Sequence, residues 1–555
     1  MLNRSTSESP PEPLQSHEEN ASEPSSPSVV MQVPLAFTLA AASGFLGIAI
    51  EVMWFRGLAL AFPGTVYVFA LVLSAYLVGI GLGSLLVGGW FRARKPTVMS
   101  LGMLYIGVML GCMVAQNLIP SIVPWSVSAF QQGWLTSWEA YAGWIGLIAV
   151  LAMLPATLAM GAALPLLIGL VTRDRDEASR VAGQLYAANT VAGVLGSLAG
   201  TFVFMPWLGV SRGLMVLALG YLAMGLVLVT RAGLQTRYTI ALGGVWVLLL
   251  VSVLADLQTD INALRNRPDW TLLFYRDAPS ATVSIYEEPD GSRLLMANNQ
   301  YALSGTDKGT VAMQYRLGAL PLKLHPQPDR ALLIGFATGT TLASMAADER
   351  LGALDCVEIH DLLFELGSFF QQVNQKVYTA PKVTLIEGDG RRYLARPGPM
   401  YDVIVADLYV PRNPGVGSLY SAEHFQAVSG RLAPGGLFIT WLPLWQLNAH
   451  ETAVIVQTFL SVYPNAEGLV GHWSPARPIL GLMAHHQKDS GLSSEGLDRA
   501  VEHHVIDVLR RAFPQESWPT PQIAPGVVSR RLLSSDQLRR WAGAAPINNL
   551  DRPFI

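Results

Sequence analysis

Four short stretches in the second half of this chain carry residue types that could do chemistry. The first is Gly335-Phe336-Ala337-Thr338-Gly339-Thr340, after an apolar run. Gly335 and Gly339 would let the backbone approach a ligand closely, and a helix opening here would offer its N-terminal N–H groups. The spacing falls short of a full GxGxxG, so a plain tight turn reads equally well. The second is Glu358, 23 residues after Gly335, where an acid at a strand end suits the two ribose hydroxyls of a nucleoside. The third is Gly388-Asp389-Gly390. A carboxylate at Asp389 could accept the adenine amino group while Gly390 leaves room for the ring, and a turn-forming Asp-Gly is the alternative. The fourth is Asp407, which closes another apolar run. There it could act as a general base or hold a cation, or serve as a helix cap or loop hydrogen bond.

These residues need a scaffold that brings four distant segments together. RALLIG (330–335), LDCVEI (354–359), KVTLIEG (382–388), DVIVAD (402–407) and GLFITWLPL (436–444) read as buried strands, with helices near 361–374 and 421–432. That alternation predicts a doubly wound parallel sheet with its site at the carboxyl ends of the strands. Before it, ATVSIYEE (281–288) and SRLLMANN (292–299) flank Pro289-Asp290-Gly291 and read as a β-hairpin.

The first half is of another kind. Only 14% of the 555 residues are charged, against about 25% in soluble domains, and the mean hydropathy is +0.36. Apolar runs near 34–61, 66–91, 98–118, 141–170, 181–208, 212–230 and 238–256 each match the ~20 residues that cross ~30 Å of hydrocarbon. Seven spans are expected, with the Trp-rich stretch 119–140 as an interfacial segment or an eighth. Arg92, Arg94 and Lys95, then Arg173, Arg175 and Arg180, then Arg231 and Arg237 follow the even-numbered spans. Those exits read as cytoplasmic, which leaves everything after 256 outside; an eighth span would reverse this.

Gly79/Gly83 and Gly196/Gly200 are GxxxG pairs that permit close helix approach. The string LGSL at 82–85 and again at 195–198 hints at a three-helix internal repeat. Glu51 and Arg56 read as interfacial charges beside a Trp54 anchor, with an intramembrane role as the alternative. Residues 1–33, rich in Ser, Pro and Glu, read as a disordered tail and not a signal peptide. A formal charge of −3 gives no sign of a nucleic-acid partner. Two cysteines, Cys112 and Cys356, suffice for neither a disulfide framework nor a cysteine zinc site and read as buried thiols.

In their order, ALLIGFATG, VEIH, EGDGRRYL, YDVIVADLYVP and NPGVGSLYS resemble the polyamine aminopropyltransferases (spermidine synthases) over about 275–485. An apolar multispan first half joined to such a domain is similar to the membrane-embedded branch of that family. The resemblance implies a Rossmann-like domain of the class I S-adenosylmethionine-dependent type, preceded by a β-hairpin region. It also implies that decarboxylated S-adenosylmethionine donates an aminopropyl group to putrescine, with neither a metal nor a prosthetic group. Glu358 matches the ribose acid, Asp389 and Gly390 the adenine side, Pro414 a proline lining the nucleoside site, and Asp407 the proton acceptor. Several amine-side positions depart from the pattern. Thr338 stands where the family binds the donor's free amine with an aspartate, Val410 replaces a second aspartate, Gln314 replaces the histidine before the LPL segment, and His360 replaces the Asp of VEID. Loss of the acid at Thr338 weakens selection against ordinary S-adenosylmethionine.

The expected molecule is a multi-pass protein of the cell (inner) membrane. It has a tail at 1–33, a helical membrane domain at 34–256, a spermidine-synthase-like domain at 262–485 and an extension at 486–555. Its partners would be a small amine, an adenosine thioether and the bilayer, with homo-oligomerisation left open. An S-adenosylmethionine-dependent methyltransferase, and a transporter or nucleoside-sensing protein with a degenerate domain, are the alternatives.

Overall fold

The computed structural model describes residues 31–62, 66–90, 96–118, 125–126, 128–129, 132–135, 137–172, 175–233, 244, 269–278, 281–298, 300–409, 415–472, 477–485, 494–515 and 531–551. The tail and the seventh span expected at 238–256 lie outside the described residues, apart from isolated positions. So does most of the 119–140 stretch.

The apolar runs fold into long helices, because a backbone in hydrocarbon must satisfy its own hydrogen bonds. They are α1 (Val33–Ala61), α2 (Val66–Trp90), α3 (Val98–Leu118), α4 (Trp138–Val171), α5 (Arg175–Ala199) and α6 (Met205–Arg231). Among the described residues, five continuous helical stretches are long and apolar enough to cross a membrane, the last running 53 residues from Ser179 to Arg231. At 1.5 Å per residue that is about 80 Å, far beyond one crossing. The chain turns at Gly209, whose φ of 76° and ψ of 175° break the helix where the sequence placed the boundary between two spans.

The repeat hinted at by LGSL is present in the packing. Gly83 of α2 lies so close to the Leu158 carbonyl of α4 that no Cβ would fit, and Gly196 of α5 lies in the same way on the Phe45 carbonyl of α1. Both members of the second pair are offset from the first by 113 positions. At that offset the Gly161–Ile80 contact matches Ile48–Gly193, and Gly107–Ala159 matches Gly220–Leu46. Helices α1–α3 are thus repeated as α4–α6, and with three helices in each copy the second is inverted.

The contacts also sort the helix ends into two faces. The Met31 N–H donates to the Leu170 carbonyl, so α1 begins where α4 ends. Asn189–Ala40 and Gly200–Ala49 contacts set α5 parallel to α1. The matching glycine contacts set α2 parallel to α4 and α3 antiparallel to both α4 and α6. One face therefore holds the ends of α2, α4 and α6, which the basic residues follow in sequence. The opposite face carries the end of α1 and the Gly209 turn, and there the rest of the chain docks. Arg56 Nε donates to Thr282 Oγ1 and Nη2 to the Ala278 carbonyl, both at 3.2 Å, while the Val210 N–H donates to Asp277 Oδ2 at 3.1 Å. Trp54 is fully buried and is no interfacial anchor, and Arg56 is a joint between the two parts. Both cysteines are buried free thiols.

Strands β1 (Thr271–Asp277), β2 (Thr282–Glu287), β3 (Arg293–Ala297) and β4 (Gln300–Gly305) form a four-stranded antiparallel sheet. β2 and β3 pair across the Pro289–Gly291 turn, so this region is a full sheet in mid-chain and not a lone hairpin; the first described elements of the chain are helices. The second sheet contains β5 (Arg330–Ile334), β6 (Ala353–Glu358), β7 (Val383–Glu387), β8 (Tyr401–Ala406), β9 (Leu432–Pro443), β10 (Glu467–His472), β11 (Ile479–His485) and β12 (Arg531–Leu533). Its order is β12-β10-β11-β9-β8-β5-β6-β7. β5 to β9 pair in parallel and β10 to β12 antiparallel, so the sheet is mixed, not wholly parallel. Apolar clusters cover both faces, one around Leu333, Cys356 and Trp441, the other around Ile404, Phe438 and Phe459. The strand order switches direction between β5 and β8, opening a crevice at their carboxyl ends.

The two faces of the helix bundle predict membrane sidedness. Reporter fusions at 175 and 235 should read as cytoplasmic and fusions at 135 and 265 as external. A cytoplasmic signal at both 235 and 265 would refute this arrangement.

Candidate functional site

Three strand ends converge at the switch point. Gly335, just after β5, adopts φ of 101°, open to glycine, and its N–H donates to the Val357 carbonyl at 2.9 Å. Glu358 ends β6 and is buried. Its Oε2 accepts the Phe336 N–H at 2.9 Å and its Oε1 the His360 N–H at 3.0 Å. Each carboxylate oxygen has a second lone-pair direction, so the side chain is both held and available to a ligand. Asp407 follows β8 and is 8% exposed. Its Oδ1 accepts the Leu408 N–H at 2.7 Å, and burial pushes its carboxyl up to about 6. Gly335, Glu358 and Asp407 line one cavity of about 730 Å³.

Asp389 and Gly390 line the same cavity. A Cβ on Gly390 would fall 2.7 Å from Ile334 Cγ2, so a side chain would displace the core of β5. Asp389 caps the short helix Gly390–Ala395 through the Arg391 N–H, and its Oδ2 pairs with Arg391 Nη2 at 2.9 Å. Burial pushes its carboxyl up, but the Arg391 guanidinium and amide outweigh that and hold it below the usual range. Gln314 is buried on the cavity wall, with its Nε2 3.4 Å from Ser304 Oγ. His360 also lines the cavity.

Two expected site residues lie elsewhere. Thr338 is fully buried away from the cavity lining, its hydroxyl 2.8 Å from Thr340 Oγ1 and its carbonyl accepting from Asn374 Nδ2. Gly339, at φ of 80°, is the turn residue before the helix Thr340–Ala346 and packs on the Phe336 ring. The loop forms as expected, but only its first half reaches the ligand space. Pro414 and Val410 lie outside the described residues. The residues least visible beforehand are Phe55, Arg56, Ala59, Leu60 and Phe69, which complete the cavity from α1 and α2. Apart from the charge of Arg56 they sit in uniformly apolar runs, with nothing to mark them.

The family model for the spermine/spermidine synthase domain matches residues 311–469. Putrescine N-methyltransferase 2 of Nicotiana attenuata is 27% identical over 268 residues, 48% of this chain and 67% of that protein. Polyamine aminopropyltransferase 2 of Hyperthermus butylicus is 28% identical over 193 residues, 34% of this chain and 63% of its own length. The crystal structure of spermidine synthase from Thermotoga maritima aligns at a TM-score of 0.37 and 17% identity, covering 44% of this chain and 88% of that one. The family-model match and the sequence similarities make the C-terminal domain a distant relative of the spermidine-synthase/aminopropyltransferase superfamily. The membrane helices fall outside the matched family model.

The geometry yields two expected outcomes. Glu358→Ala should weaken methylthioadenosine binding by about 1–3 kcal/mol, measured by calorimetry on the full chain; unchanged affinity would remove Glu358 from the site. Asp407→Asn should raise stability. A carboxyl whose folded pKa lies above its unfolded value loses stability as pH rises from about 4 to 6, of order 3 kcal/mol by pH 7. The gain over the parent in thermal unfolding should disappear near pH 4.

Proposed function

We propose that this chain is a multi-pass transferase of the cell membrane that moves an aminopropyl group from decarboxylated S-adenosylmethionine to putrescine or another amine. On this reading residues 34–256 form the membrane domain and the domain beginning near 262 carries the chemistry. One observation carries the proposal: Asp407 and Glu358 flank Gly335 in a single cavity, one acid gripped by backbone amides and the other buried and raised toward neutral pH.

The roles follow from that contrast. Glu358 takes the ribose hydroxyls, and Asp389 with Gly390 borders the base. Asp407, with a carboxyl near 6, is charged at neutral pH and basic enough to receive the proton that the amine gives up. The amine nitrogen attacks the carbon beside the donor's sulfonium, the C–S bond breaks, and its electron pair stays on sulfur in methylthioadenosine. The sulfonium already makes that carbon electrophilic, so the protein's task is position and proton acceptance.

Methyl transfer from ordinary S-adenosylmethionine is the second reading. Thr338 supplies no carboxylate and is turned into the core, so nothing at that position repels the carboxylate of the unmodified donor. The putrescine N-methyltransferases among the similar proteins favour the same direction.

Radiolabelled donors separate the two, because only one labels the product in each case. Turnover should fall as pH drops through about 6, where Asp407 takes up its proton, and Asp407→Asn should abolish it while leaving methylthioadenosine affinity nearly intact. Persistent turnover in that variant would exclude Asp407 as the base.

A further inference from the structure

The cavity has a second wall that comes from the membrane. Phe55, Ala59 and Leu60 of α1 and Phe69 of α2 line it together with Asp407. Phe69 is 48% exposed, and its ring meets Phe55 edge-on at 5.3 Å. The space around Asp407 is therefore bordered by a pair of aromatic rings, one near the end of α1 and one at the first turn of α2, both helices long and apolar enough to cross a membrane.

The charges on this wall do not suit a polyamine. A dication needs an anionic contact at each end. Glu358 and Asp389 belong to the nucleoside side, Gln314 is neutral and Thr338 is turned away, which leaves Asp407 as the acid for the acceptor among the described lining residues. Arg56 lines the same cavity and would repel a second ammonium. Its guanidinium has five N–H donors, of which bonds to described residues, Thr282 and Ala278, use two; its link to Asp277 runs through the Thr282 hydroxyl. With Arg391 paired to Asp389, the described lining residues leave one carboxylate, one guanidinium and the apolar ends of two membrane helices, which call for one amine, one anion and an apolar remainder.

We propose that the acceptor is an aminophospholipid of the phosphatidylethanolamine class. This rests on the transferase reading above and names its amine. The head group enters between Phe55 and Phe69, its phosphate meets Arg56, its primary amine reaches Asp407, and its acyl chains stay in the bilayer along α1 and α2. The amine lone pair forms the new C–N bond, the donor's C–S bond breaks with its pair left on sulfur, and the proton released from nitrogen goes to the Asp407 carboxylate. The sulfonium charge is discharged and the lipid amine keeps its ability to be protonated.

The test uses the full chain in phosphatidylcholine vesicles with and without phosphatidylethanolamine, supplied with decarboxylated S-adenosylmethionine. Lipid extracts are read by mass spectrometry, and putrescine is the acceptor in a parallel arm. Phosphatidylethanolamine should gain an aminopropyl group and phosphatidylcholine none. Arg56→Gln should raise the apparent KM for the lipid about tenfold or more, the usual loss of a charge-assisted contact, with Arg56→Lys in between. Methylthioadenosine titration of each variant reports that it is folded. Alkylated putrescine beside unmodified phosphatidylethanolamine overturns the lipid assignment and leaves the transferase reading standing. No transfer to either acceptor by a chain that still binds methylthioadenosine overturns both.

Discussion

A short chain of hydrogen bonds joins the two parts of this protein, and the shape of the site depends on it. Thr282 accepts from Arg56 of α1 and donates to Asp277, while Asp277 also accepts the Val210 N–H at the Gly209 turn and the Tyr275 hydroxyl at 2.7 Å. Asp277 is almost fully buried, so each of these donors lacks water as a substitute. The joint seats β1 and β2 on the ends of two membrane helices. Because β2 belongs to the sheet whose neighbour β3 also borders the cavity, seating the sheet brings α1 and α2 over the strand ends. Without that joint the nucleoside side would stand as an open crevice.

Inside the soluble part the decisive constraint is the order of the strands. β5 lies between β6 and β8, so the segments leaving β5 and its neighbours diverge and leave room at their carboxyl ends. Glu358 and Asp407 are far apart in sequence but come from the two strands that flank β5. Their environments then separate their roles. Two backbone amides hold Glu358, whereas Asp407 has one amide and deep burial, which raises its carboxyl. One carboxylate is a fixed acceptor and the other can exchange a proton.

The membrane part shows how small residues set a bundle's geometry. Glycines of α2 and α5 sit on carbonyls of α4 and α1 at equivalent positions in the two copies, where any side chain would push the helices apart. The inverted repeat also explains why one face carries the basic helix exits and the other the docking surface. Three helices in each copy place the two copies in opposite orientations. Two of the departures from symmetry are Arg56 and Glu51, whose counterparts at the 113-residue offset are Gly169 and Leu164. Arg56 marks the face on which the four-stranded sheet docks.

Much of this was legible in the sequence because it rests on local chemistry. Apolar runs long enough to span hydrocarbon must be helices, and the break between the fifth and sixth fell where Gly209 permits it. The strands and the acids at their ends followed from buried runs closed by Gly, Glu and Asp. LGSL, four residues long, pointed correctly to a repeat whose proof lies in helix contacts. Other features depended on long-range packing. Thr338 occupies a loop position that local sequence assigns to the ligand, yet its hydroxyl is spent on Thr340 in the core. Trp54 carries an anchor's residue type, but neighbouring helices bury it. The β-hairpin signal was sound for β2 and β3, while pairing with β1 and β4 involves partners that no local pattern names. Phe55, Arg56 and Phe69 became part of the site only when a sheet more than 200 residues away docked on them. An apolar residue in a membrane helix has the same chemistry facing lipid, core or cavity, and only the fold decides which it meets.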